Sequence, residues 1–89
     1  MQNNNLIIIM GKVIAKYEIQ ENNGWLFNVN TSSVLQNNNQ VINLLTNENN
    51  SAQFQLKNSS DSIECSTAYS SKPIGTNVEV FVNIVIPVK

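Results

Sequence analysis

The chain of 89 residues contains no histidine and no arginine. Without histidine it lacks the side chain most used as a general base near neutral pH. Without arginine it lacks the forked donor that recognises phosphates and carboxylates bidentately. The single cysteine, Cys65, excludes an intrachain disulfide and a cysteine-rich zinc site. Charge is also scarce. Five lysines (12, 16, 57, 72, 89) stand against six acids (Glu18, Glu21, Glu48, Asp61, Glu64, Glu79), for a net charge of −1. The acids are dispersed, on the outward phase of alternating strands or beside turns, and no two have the spacing of a catalytic pair. No apolar run approaches the length of a membrane span, and the start lacks the basic and apolar regions of a signal peptide. These absences point away from an enzyme, a bound metal or cofactor and a small-molecule substrate, and make the cytoplasm the default compartment.

Polarity comes instead from seventeen asparagines, six glutamines and many serines and threonines. The most informative stretch is Thr76 to Val88. Its alternate residues Val78, Val80, Val82, Ile84, Ile86 and Val88 are all aliphatic, which predicts a long strand with one face in a core. The other face, Asn77, Glu79, Phe81, Asn83, Val85 and Pro87, is mixed. Pro87 cannot donate to a ladder, so the end of this strand is expected at a sheet edge.

After a polar lead, residues 1–5, Leu6 to Met10 is apolar on both faces. Beyond Gly11 the chain alternates, with Val13, Ala15, Tyr17 and Ile19 on one side and Lys12, Lys16 and Glu18 on the other. Gly11 suggests a bulge or sharp bend. Asn22-Asn23-Gly24 is a hairpin signal, predicting that the first strand pairs with Trp25 to Thr31, with Trp25, Phe27 and Val29 sharing a face. Further strands are expected over Val41 to Thr46, Ala52 to Lys57 and Ile63 to Tyr69, separated by turn clusters. Cys65 falls on the apolar phase of the last of these, where a buried, inert thiol is expected. The whole reads as one all-β domain: a small antiparallel sandwich or barrel of about six strands, immunoglobulin-like or OB-like, with no substantial helix.

An apolar strand, then Gly11-Lys12-Val13, a spacer ending in Asn23-Gly24 and an aromatic strand resembles the opening of bacterial single-stranded-DNA-binding proteins. Gly75-Thr76-Asn77-Val78-Glu79-Val80 looks like a late strand of their OB-fold. The resemblance implies nucleic acid as partner, with Lys12, Lys16, Trp25, Phe27 and Phe54 as contacts. The loop Ser70 to Gly75 is too short for the helix of that family, and five lysines make a thin cationic groove. The immunoglobulin-like alternative resembles a small pilin or fibre subunit.

A surplus of apolar residues on the wrong face separates these readings. Leu6, Ile8, Met10 and Ile14 share the phase of Lys12 and Lys16, while Phe81 and Val85 share that of Glu79 and Asn83. If the two strands are neighbours, they form one exposed patch of the kind that marks an interface. The expectation is therefore a non-enzymatic module that assembles with itself or another protein, such as a structural subunit of a virion or fibre. A single-strand binder is the alternative, and an inhibitor docking on one partner the second alternative.

Overall fold

The computed structural model describes residues 5–37, 39–48, 51–70 and 72–89. Most of the polar lead and parts of the turn clusters 36–39 and 47–51 and of the loop 70–75 lie outside the described residues. Six strands follow in order: β1 (Asn5–Ile14), β2 (Trp25–Asn30), β3 (Gln40–Thr46), β4 (Ser51–Ser59), β5 (Ser62–Tyr69) and β6 (Glu79–Val88). All pairings are antiparallel, in the order β1-β6-β3-β4-β5-β2. Over the described residues the fold is all-β, six strands in a nearly closed, barrel-like sheet without a helix.

Strands β3, β4 and β5 form a meander, and β6 returns by a long connection to lie beside β3, which is a Greek key. β1 extends this key beyond β6, and β2 extends it beyond β5. Curvature brings the two outer strands round to face each other across a seam, where Phe27 of β2 and Ile9 to Val13 of β1 line a pocket of about 200 Å³.

The core follows from period-two patterning. Val80, Val82, Ile84, Ile86 and Val88 of β6 are buried, packed with Leu44, Ala52, Phe54, Leu56, Ile63 and Cys65 from β3, β4 and β5. Leu35 closes one end, bridging to Val88. Burial pushes the Cys65 thiol up to about 12, with the neighbouring Glu64 carboxylate adding to the effect.

Several local expectations are corrected by tertiary pairing. The 21–24 turn does not join a hairpin, because β1 pairs with β6 and β2 with β5. The turn is held instead by β5: the Asn23 amide donates to the Thr67 carbonyl (2.7 Å), and the Thr67 amide to the Gly24 carbonyl (2.8 Å). Gly11 interrupts nothing, since the β1–β6 register runs unbroken through Gly11–Val82, although its φ of +150° is a conformation side chains rarely adopt. Past Ile14 the chain bends, leaving Ala15 and Ile19 buried but turning Tyr17 out to 82 % exposure. A register shift between Trp25 and Phe27 directs Leu26 inward and Trp25 outward. A second shift, at Gln53/Phe54, turns Tyr69 out.

Pro87 lies in the part of β6 that β3 does not reach, since β3 pairs only with Val80 and Phe81. It pairs with Leu6 on one side, and on the other its carbonyl accepts the Gln36 amide (3.1 Å). The missing amide faces that side, where the Leu35–Val88 bridge is the contact and only the Pro87 carbonyl is used, so the proline costs no ladder hydrogen bond.

Candidate interaction face

In an antiparallel pair, opposed residues send their side chains to the same face. The β1–β6 register opposes Leu6 to Pro87, Ile8 to Val85, Met10 to Asn83, Lys12 to Phe81 and Ile14 to Glu79. The two strands expected to carry the apolar surplus are therefore neighbours, and Leu6, Ile8, Met10, Ile14, Phe81 and Val85 fall on one outer face. All six are exposed, Met10 most, at 73 %. The inner partners, Ile7, Ile9 and Val13 against Ile86, Ile84 and Val80, pack on the core.

β3 enlarges the face by a residue that the sequence pattern did not single out. Leu45 pairs with Phe81 and is itself exposed. Its outward phase was present in Val41 to Thr46, but only the pairing of β3 with β6 shows that it joins the others. The exposed area of these seven side chains is on the order of 700 Å², above the roughly 300–600 Å² of the largest patch on a typical monomer.

The charge on this face is compensated within it. Lys12 Nζ lies 3.1 Å from Glu79 Oε1, a surface ion pair. The opposite outer surface is richer in polar groups: Lys57 pairs across the strands with Glu64, and Glu64 with Asn28, flanked by Gln53, Gln55 and Asn30, with the exposed Tyr69 beside Gln53 and Val41 beside Gln55. The barrel thus has one apolar flank, on β1, β6 and β3, and one amide-rich flank, on β4, β5 and β2.

Of the five residues suggested as nucleic-acid contacts, three converge on one cleft and two lie elsewhere. Phe54 is fully buried and has no ring face to offer a base, which removes it from that set. Lys12 is held by Glu79 on the apolar flank. Lys16, Trp25 and Phe27 line a cleft of about 820 Å³ along the seam, with Tyr17, Glu18 and Gln20. Trp25 is exposed there, its indole Nε1 donating to Asn28 Oδ1 (2.6 Å). Phe27 is half-buried. Among the described residues, no group of three or more His, Cys, Asp or Glu side chains could hold a metal ion, and no helix is long and apolar enough to cross a membrane.

No protein-family model, curated protein or solved structure matches this chain.

Proposed function

We propose that the chain is a non-enzymatic β module that works by assembling with copies of itself, as a structural subunit of a larger complex of the virion or fibre kind. The observation that carries this reading is the continuous apolar flank of Leu6, Ile8, Met10, Ile14, Phe81, Val85 and Leu45 on neighbouring strands. Its area, on the order of 700 Å², is close to the roughly 800 Å² per partner of a standard stable interface. The rest of the surface supports the same reading. A net charge of −1 and an ion pair that neutralises Lys12 leave little repulsion between copies.

Substitution on β6 tests the flank without touching β1. Val85 and Phe81 are exposed, so Val85→Asp and Phe81→Ser remove apolar contact area without opening a core cavity. Sedimentation velocity of the double variant is expected to show a lower mass than the wild type, with an unchanged circular dichroism spectrum. An unchanged mass would reject the flank as the assembly surface.

A further inference from the structure

Main-chain direction on β1 adds a second feature to this flank. The Glu79 carbonyl accepts the Asn47 amide and the Pro87 carbonyl accepts the Gln36 amide, so both ends of β6 send odd-numbered main-chain groups away from β1. Hydrogen-bonding direction alternates along a strand, so the even-numbered residues of β6 bond to β1. Through the register, their partners are Ile7, Ile9, Gly11 and Val13. The amides and carbonyls of Leu6, Ile8 and Met10 therefore point to the other side of β1. Among the described residues, β1 is hydrogen-bonded along one side only, to β6.

The residues with outward main-chain groups are thus also the most exposed apolar residues of β1. Natural edge strands are protected against pairing by charge, proline, bulges or brevity. From Leu6 to Gly11 this edge has none of them: it is uncharged, free of proline, in unbroken register and part of a ten-residue strand.

We infer that β1 pairs edge to edge with β1 of a second copy, antiparallel about a two-fold axis at Ile8. This rests on the assembly reading above and names its partner and geometry. The second copy is favoured because the edge is self-complementary. A two-fold at Ile8 sets Leu6 against Met10 and Ile8 against itself, apolar against apolar, while Lys12 lies outside this core and is already paired with Glu79. The same axis puts both apolar flanks on one side of a continuous sheet. The joined pair then packs that doubled flank on another pair, giving assemblies with an even number of copies.

Site-resolved amide hydrogen exchange on the wild type, at concentrations where light scattering fixes the mass, tests the pairing. The amides of Ile7, Ile9 and Val13 are protected by β6 in every case and act as internal references. Expected are a multimer and slow exchange at Leu6, Ile8 and Met10, comparable to those references. A multimer with fast exchange at the three even positions overturns edge pairing and leaves the assembly reading standing. A monomer overturns both, and slow even amides within a monomer mean that β1 closes on β2 instead. Ile8→Pro is the confirming variant: it removes an outward amide without removing a β6 hydrogen bond. Its assembly is expected to halve in mass, and an unchanged mass overturns the proposal.

Discussion

The Gly24 amide donates to the buried hydroxyl of Thr67 at 2.7 Å, and that hydroxyl in turn donates to the Gln20 carbonyl at 2.8 Å. One side chain of β5 thus satisfies two main-chain groups of the turn leading into β2. Thr67→Val keeps the shape and removes both bonds. Leaving the two groups without a partner is expected to cost about 2–4 kcal/mol, read as a lower urea midpoint at unchanged slope. Thr67→Ser, which keeps the hydroxyl, is expected to retain most of the stability.

Gly24 is required by proximity. A Cβ there would lie 2.6 Å from Ile19 Cγ2 and 2.7 Å from the Gln20 main chain, and backbone cannot swing aside as a flexible side chain can. Gly24→Ala is expected to destabilise by about 1–3 kcal/mol, the usual range for overpacking. Gly11 differs. A Cβ there meets nothing within 4 Å, so any loss in Gly11→Ala comes from its φ of +150°. A cost of about 1–3 kcal/mol without a change in assembly is expected. The Ile19 methyl resonances separate the cases, because only Gly24→Ala disturbs the packing of Ile19.

The Cys65 thiol stays protonated to about pH 12 in the folded chain, whereas its ordinary value is 9.0. Between these values the folded state binds the proton and the unfolded state releases it, so stability falls as pH rises. The contribution is fully present below about pH 9 and declines by about 1.4 kcal/mol per pH unit above it. Denaturant titrations at pH 8, 9 and 10 should show this decline in the wild type and a shallower one in Cys65→Ala. Equal slopes would contradict the assignment.

Much of this architecture was legible because it depends on alternation alone. The valines and isoleucines of β6 announced its buried face, and the same parity placed Leu6, Ile8, Met10 and Ile14 opposite the core. That they join Phe81 and Val85 required only that β1 and β6 be neighbours. Partner choice was the illegible part. Asn22-Asn23-Gly24 marks a reversal of the chain, but reversal does not determine what the next strand pairs with, and β5 outcompeted β1 for β2. The shifts that expel Trp25 and Tyr69 are likewise set by cross-strand fit, which leaves no mark on local composition. Leu45 joined the flank for the same reason.

Lys12 and Glu79 are exposed enough that their ion pair is expected to contribute no more than about 1 kcal/mol. It neutralises the one lysine on the flank. Glu79→Gln frees the lysine, and the assembly should become weaker at low salt and recover at high salt as the exposed charges are screened.

An apolar flank that joins copies of the chain sets the solution mass of the wild type. Light scattering after size exclusion, at low and at high salt, should give a multimer of even copy number at both, because apolar burial is not screened by ions. A monomer at both salt concentrations would mean that the flank is not an interface between copies.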